Sequence, residues 1–250
     1  WFARHHLMLG EWERFLSWLE SLSFADAAEK SRKTYQKELK KADEALRARW
    51  EARRTLLCVV HEDCRFELLG ETKDDAVGEA FDKVAKLLGL GYPGGPEIDR
   101  LSDEGDAARA PFPHRSAKQT FDFSFSGLKS AVINTLHNAK QKGVTIHPQD
   151  LAASFQASVI DVLVTKTVKA VKGYGVEQVL LAGGVAANKG LRAALQEVFE
   201  EVEAELIIPP LSLCTDNAAM IAAAGTVLFE QGKRGSMDMN AHPGLDIENF

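Results

Sequence analysis

Hydrophobic and polar residues follow two different patterns along the chain, and the change lies at about residue 55. Before it, apolar residues recur at helical spacing, as in the stripe Leu9, Trp12, Phe15, Leu16 and Leu19. A second stretch, 24–54, holds no Pro or Gly and is rich in Lys and Arg, which predicts a long, mostly exposed basic helix. We therefore predict a separate helical segment over residues 1–54.

From residue 55 onwards, short apolar runs alternate with helical patterns. The runs predict strands at 55–60, 65–69, 178–182 and 205–208, and helices at 75–88, 127–141, 150–172, 188–200 and 216–231. Residues 92–96 read as a turn without regular structure, and 103–120 as a surface loop. Two successive strand–loop–helix units imply parallel strands. Residues 55–250 are therefore predicted to form one α/β domain, with a parallel or mixed sheet and flanking helices.

Composition and charge exclude several classes of protein. The 250 residues are 45% hydrophobic, which is enough for a substantial core, and the net charge of −6 provides no global attraction to nucleic acid. Any contact with RNA must therefore be local. The three cysteines form no C-x-x-C pair, which favours a reducing, cytoplasmic setting over a disulfide framework. No uninterrupted apolar run approaches the roughly 20 residues of a membrane span, so no membrane partner is expected.

Familiar catalytic motifs are missing from the printed sequence. The seven histidines form no H-E-x-x-H or H-x-x-x-H pair, and there is no G-x-S-x-G elbow or Walker loop. A self-contained zinc hydrolase, a serine hydrolase of that type and a P-loop nucleotidase are thus disfavoured.

Three segments could carry chemistry, and each has a plainer structural interpretation. Asp75, Glu79 and Asp82 share a helix face, where either a ligand or the nearby Lys83 or Lys86 could balance their charge. The glycines of the 181–188 loop lie where a strand ends and a helix begins, which suits either an ordinary turn or the approach of an anionic ligand. In the last segment, 214–217, Thr215 or Asp216 is either a helix N-cap or, for Asp216, a metal ligand.

Six segments in order resemble the tRNA N6-adenosine threonylcarbamoyltransferase family. They are GETKDDAVGEAFDK, YPGGPEID, FSFSGLKSAVINTL, DLAASFQASVIDVLVTK, LLAGGVAANKGLRAAL and CTDNAAMIAAAG, and the resemblance as a whole runs from about residue 65 to about residue 245. Several motifs in the family's order are far more specific than any one of them. The resemblance implies an actin-like (ASKHA, RNase H-like) lobe, corresponding to the second lobe of the family.

The resemblance also implies an activity and a set of site residues. The family transfers a threonylcarbamoyl group from its ATP-derived adenylate to N6 of adenosine 37 in tRNAs that read ANN codons. Carried over residue by residue, it implies that Asp82, Gly95, Asp99 and Asn188 contact the adenylate. Asp216 would be the aspartate ligand of one divalent metal, iron or zinc. The implied partners are tRNA and small proteins of the same pathway, and a homodimer is compatible with the family.

Two departures from the family leave the functional prediction open. The family's first lobe, with its histidine pair, has no match in residues 1–54, and Val59–Cys64 stand where a glycine-rich hairpin is expected. One hypothesis is a transferase of reduced or absent activity. The alternative is a non-catalytic, truncated or rearranged homologue that serves as a protein- or tRNA-interaction module.

Overall fold

The computed structural model describes residues 55–62, 65–112, 120–215, 217–236 and 247–249. The chain divides into two compact units: residues 53–215 and 245–250 belong to the larger one, and residues 216–244 belong to the smaller one. The helices predicted over 1–54 lie outside the described residues.

The larger unit contains two small sheets and five α-helices among its described residues. Its elements in chain order are β1 (Leu56–Val60), β2 (Phe66–Glu71), α1 (Val77–Leu87), α2 (Gly94–Ser102), α3 (Ser126–Lys142), α4 (Pro148–Tyr174), β3 (Gln178–Leu180), α5 (Lys189–Phe199) and β4 (Glu205–Ile207). β1 and β2 pair antiparallel, whereas β3 and β4 pair parallel. The mixed α/β class and the parallel pairing predicted from the sequence are thus confirmed.

α4 is the central helix of the larger unit. Its first half is almost continuously buried and packs against α1 and α2 in the main hydrophobic core. The rings of Phe81 and Phe155 meet edge to face there, with centroids 5.2 Å apart. Farther along, α4 packs with α5 and the β3–β4 pair in a second cluster around Leu191 and Leu195. α4 is long and apolar enough to cross a membrane, but 56% of its apolar window is buried inside the protein, as in a core helix.

α2 is the element that the sequence prediction missed. Residues 92–96 were expected to form a turn only, yet the helix begins at Gly94 and includes Pro96 in its first turn. Proline is tolerated there because its missing N–H would have no partner within the helix. A Cβ on Gly94 would lie 2.7 Å from the Cβ of Ala85, so glycine allows α2 to pack directly against α1. Tertiary packing therefore outweighs the low helix propensity of the Gly-Gly-Pro sequence.

The smaller unit contributes one described helix, α6 (Ala218–Glu230). Its N-cap is Asn217, whose side-chain oxygen accepts a hydrogen bond from the Met220 amide at 2.9 Å. The cap predicted at Thr215 or Asp216 is therefore wrong, because the helix begins later than expected and an extended Asn217 reaches its first turn. α6 has no buried residue, and Ile221 and Phe229 are 66% and 60% exposed.

Asp74 joins the end of the β-hairpin to the beginning of α3. Its carboxylate accepts hydrogen bonds from the hydroxyls of Ser124 and Ser126 at 2.5 and 2.7 Å, and from the backbone amide of Phe125 at 2.8 Å. Burial tends to raise the pKa of Asp74, but these hydrogen bonds outweigh it and lower the pKa below the usual aspartate value. Asp74 thus caps α3 from a distant part of the chain.

Replacing Asp74 by asparagine is expected to lower the free energy of unfolding at neutral pH by about 1 kcal/mol, since the exposed carboxylate is screened by solvent. Because the folded-state pKa is lowered, this stabilisation is fully present above the unfolded-state pKa of about 3.9 and is lost as the pH falls through the folded-state value. Urea unfolding of both proteins between pH 7 and pH 3 should show the difference shrinking below about pH 4. A difference independent of pH would contradict the assignment.

Candidate functional site

The acidic face of α1 is neutralised by a lysine of the same segment. The ammonium of Lys83 lies 2.5 Å from carboxylate oxygens of both Asp75 and Glu79. These two hydrogen bonds raise the pKa of Lys83, so the ammonium stays charged at neutral pH. For Asp75 and Glu79, the structure therefore supports the plainer interpretation, in which a nearby lysine balances their charge.

Asp82, the third acid of this face, has a different partner. Its Oδ1 accepts a hydrogen bond from the backbone amide of Gly94 at 2.8 Å, at the first residue of α2. The next residue, Gly95, is half-buried, and a Cβ there would meet nothing within 4 Å. Asp82 thus stabilises the N-terminus of α2, and open space remains beside the neighbouring Gly95.

An open groove borders Asp82 between α1 and the turn that follows it. It has a volume of about 330 Å³ and is lined by Glu79, Asp82, Lys83, Lys86, Leu90, Gly91 and Tyr92. A second groove of about 380 Å³ lies between α5 and β4, beside Phe199 and Leu206, and no predicted site residue lines it. Of these two grooves, only the one beside Asp82 is lined by a predicted site residue, Asp82 itself.

Asp99 and Asn188 meet at the N-terminus of α5. Asn188 is the N-cap of this helix, and its Oδ1 accepts a hydrogen bond from the Leu191 amide at 2.8 Å. Its Nδ2 donates to Oδ1 of Asp99 at 3.1 Å, and the backbone amide of Lys189 donates to Oδ2 of Asp99 at 3.3 Å. Asp99 is only 8% exposed. A buried carboxylate is therefore held where the helix dipole favours negative charge.

Two further residues, neither of them a predicted site residue, complete this network. Gln156 of α4 accepts a second hydrogen bond from Nδ2 of Asn188 at 2.8 Å and donates to the hydroxyl of Ser102 at 2.7 Å. Ser102 in turn donates to the carbonyl of Asp99 at 2.8 Å. A signal was present, since Gln156 is a polar residue within the buried apolar stretch of α4, and such residues have hydrogen-bond partners.

The glycine loop predicted between β3 and α5 is present and open. Gly183 has a φ of +86°, a conformation that side-chain-bearing residues rarely adopt. A Cβ on Gly183 or Gly184 would meet nothing within 4 Å. The backbone here is therefore accessible to a ligand, directly before the helix that Asn188 caps.

Arg192 joins the glycine loop to the 209–215 segment. Its guanidinium donates from Nε to the carbonyl of Ala186 at 2.5 Å and from Nη2 to the carbonyl of Pro209 at 2.8 Å. Nη2 also lies 3.1 Å from Sγ of the buried Cys214. Two of the three predicted segments are therefore held together by Arg192, which the sequence did not indicate because its hydrogen bond to Pro209 joins residues 17 positions apart.

Asp216, the predicted metal ligand, lies outside the described residues, and its role stays a prediction. Among the residues that the structure describes, no group of three or more His, Cys, Asp and Glu side chains could hold a metal ion.

The site's chemistry follows from these hydrogen bonds. Asp82, Asp99 and Asn188 present carboxylate and amide oxygens, which accept hydrogen bonds from hydroxyl or amino groups. The glycine backbone and the N-terminus of α5 favour anionic groups. The fold and these residues define an α/β protein in which polar groups gather at the carboxyl end of a parallel strand, the edge at which such proteins generally bind their ligands.

The chain belongs to the tRNA N6-adenosine threonylcarbamoyltransferase family, whose model (TsaD) matches residues 35–223. It is 65% identical over 198 residues to the tRNA N6-adenosine threonylcarbamoyltransferase of Bacillus licheniformis, covering 78% of this chain and 58% of that protein. The protein of the same name from Bacillus subtilis is 62% identical over 198 residues, covering 78% of this chain and 57% of that protein.

The chain thus spans somewhat more than half the length of these curated relatives. The family match begins at residue 35, inside the segment predicted as helical. A crystal structure of HypF from T. kodakarensis aligns with a TM-score of 0.49 and 18% identity, over 68% of this chain and 21% of that one. At that level the likeness does not establish a shared fold.

Proposed function

We propose that this chain acts in the biosynthesis of threonylcarbamoyladenosine in tRNA. In this reaction the N6 amine of adenosine 37 attacks the carbamoyl carbon of threonylcarbamoyl adenylate. The new N–C bond forms, the bond from that carbon to the phosphate oxygen breaks, AMP leaves and N6 loses a proton. Within this reaction, the described residues of the chain bind and orient the adenylate.

The observation that carries the proposal is the joining of Asp99 and Asn188 at the N-terminus of α5, 89 positions apart in sequence. Their oxygens suit the hydroxyl groups of a ribose, and the open glycine loop suits a phosphate, which the carboxylates of Asp82 and Asp99 would repel. Asp82 and Gly95 belong to the same proposed site through α2: Gly95 lies in its first turn, and Asp82 of α1 accepts the hydrogen bond of the Gly94 amide at its start. Family membership supports this use of the four residues.

Several finer features belong to the proposal and rest on the family. The larger unit would be part of an actin-like (ASKHA) lobe within a 55–250 domain, with 1–54 as a separate segment. Asp216 would supply one oxygen ligand to a divalent metal, iron or zinc, which would orient the threonylcarbamoyl group electrostatically. The proposed partners are ANN-decoding tRNA and small proteins of the same pathway, and the proposed location is the cytoplasm.

Calorimetric titration of the chain with a stable threonylcarbamoyl adenylate analogue tests the proposal. We expect binding of one analogue per chain, and a loss of at least about tenfold in affinity for Asp82→Ala, which removes both a carboxylate of the site and the cap of α2. Glu97→Ala is the matched control, because this carboxylate of α2 pairs with Arg100 on the exposed surface. Its affinity should match that of the unaltered chain.

Failure of the unaltered chain to bind the analogue, under conditions in which the Bacillus subtilis relative binds it, would contradict the proposal. Mass spectrometry of tRNA incubated with the chain, ATP, threonine, bicarbonate and an adenylate-forming enzyme then measures the transfer to N6 separately from binding.

A further inference from the structure

We infer that Gln156 is a positioning residue of this site, which holds the Asn188 side chain in its orientation. Through Ser102, Gln156 also connects Asn188 to the backbone carbonyl of Asp99. The inference concerns how the site is built and rests on the proposed function only for its effect on ligand affinity. Gln156 is buried, with 7% of its surface exposed, and both polar atoms of its amide are hydrogen-bonded within the protein, to Asn188 and Ser102.

The hydrogen bonds of Asn188 determine which way its amide faces. Leu191 N is a donor, so the atom that accepts from it at 2.8 Å must be the oxygen of Asn188. The nitrogen then carries two hydrogens, one directed to Oδ1 of Asp99 and one to Oε1 of Gln156. Both donors of the amide are thereby used within the protein. Toward a ligand, Asn188 can offer only the remaining lone pair of its oxygen.

Gln156 has its own orientation determined in the same way. Its oxygen faces the Asn188 nitrogen, so its nitrogen faces Ser102, whose hydroxyl accepts at 2.7 Å. The hydroxyl proton of Ser102 is then free to be donated to the carbonyl of Asp99. The donor and acceptor roles of Asn188, Gln156 and Ser102 therefore have only one possible assignment. Gln156, on α4, is the residue that connects Ser102 of α2 with Asn188 of α5.

Close packing holds Gln156 in this position. A Cβ on Gly190, in the first turn of α5, would lie 3.0 Å from Nε2 of Gln156 and 2.9 Å from Cδ1 of Ile160. Glycine at this place therefore lets the amide pass beneath the helix and reach Asn188.

Two substitutions of Gln156 test the inference. Gln156→Leu removes both hydrogen bonds and should weaken binding of the stable adenylate analogue about tenfold at every pH, because one Asn188 donor is left without its partner. Gln156→Glu should weaken it similarly at pH 8, since an ionised, buried carboxylate near Asp99 cannot donate to Ser102. At pH 5.5 the protonated form can donate as glutamine does, and affinity should recover to within about threefold of the unaltered chain.

Ser158→Ala is the matched control for simple loss of stability. Ser158 is also buried on α4, 2% exposed, and its hydroxyl donates only to the Ser154 carbonyl of its own helix in the described hydrogen bonds. This variant should bind the analogue as the unaltered chain does, even if its unfolding temperature falls. Weakening by Ser158→Ala equal to that by Gln156→Leu would show a general structural effect and overturn the inference.

A ligand-free measurement separates this inference from the proposed function. In NMR spectra of the unliganded chain, the side-chain amide protons of Asn188 should exchange slowly with water, and in Gln156→Leu one of them should exchange at least about tenfold faster. If the unaltered chain binds no analogue but shows this change, the proposed function fails and the positioning role stands. Equal exchange in both proteins overturns the positioning role, whatever the binding result.

Discussion

Replacing Phe155 by alanine is expected to destabilise the larger unit by about 3–5 kcal/mol, the largest effect on stability that we predict for a single substitution. Phe155 is fully buried at the centre of the main core. Its ring packs edge to face against Phe81, so the change removes both the buried area and an aromatic contact. A cavity would remain, because α1, α2 and α4 hold its walls apart.

Urea unfolding followed by circular dichroism measures this effect. Tyr174→Ala is a suitable control, since this aromatic residue ends the same helix and is 46% exposed. Its loss should be about 1 kcal/mol or less. If Phe155→Ala lowered the free energy of unfolding no more than the control did, Phe155 would not lie at the centre of the core.

Replacing Asp99 by alanine is expected to have the largest effect on the site. The Nδ2 group of Asn188 and the Lys189 amide would each lose an acceptor, and unsatisfied buried donors cost about 1–3 kcal/mol. Asn188 would then be held only by its hydrogen bonds to Gln156 and Leu191, and α5 would lose the negative charge at its N-terminus. We therefore expect affinity for the stable adenylate analogue to fall at least about tenfold, and by more than in Gln156→Leu.

Asp103→Ala is the control that distinguishes the role of Asp99 from a general loss of negative charge. The Asp103 carboxylate lies 3.8 Å from the ammonium of Lys189, but both side chains are exposed, so the pair contributes at most about 1 kcal/mol. Calorimetry should find unaltered affinity for Asp103→Ala. Equal losses for the two variants would mean that the charge near Lys189, and not the buried network, determines binding.

The periodicity of the sequence predicted most elements of the larger unit to within two or three residues at each end. α4 was expected over 150–172 and extends over Pro148–Tyr174, and α5 was expected over 188–200 and extends over Lys189–Phe199. These helices have local signals: an apolar pattern and a terminal glycine for α4, and an asparagine cap for α5. α2 lacks such signals, since its first residues are Gly-Gly-Pro and its N-terminal partner is Asp82 on another helix.

The family resemblance predicts Asp82, Gly95, Asp99 and Asn188 as one set, and that prediction does not say how they are connected. That Asp99 meets Asn188 depends on the packing of α2 against α4, and of α4 against α5, which no local pattern encodes. Gln156 and Arg192 were missed for this reason, because Gln156 acts on a side chain 32 positions away and Arg192 reaches a carbonyl group 17 positions away.

By itself, therefore, the sequence determined the alternation of strands and helices in the larger unit, the glycine loop before α5 and the membership of a family with ordered motifs. These features depend on residues close together in the chain, or on their order along it. The tertiary structure decided the helix at Gly94, the division of the acidic face between Lys83 and the α2 cap, and the network that joins Asp99, Asn188, Gln156 and Ser102. Each of these depends on hydrogen bonds and close packing between helices, which form only when distant segments meet.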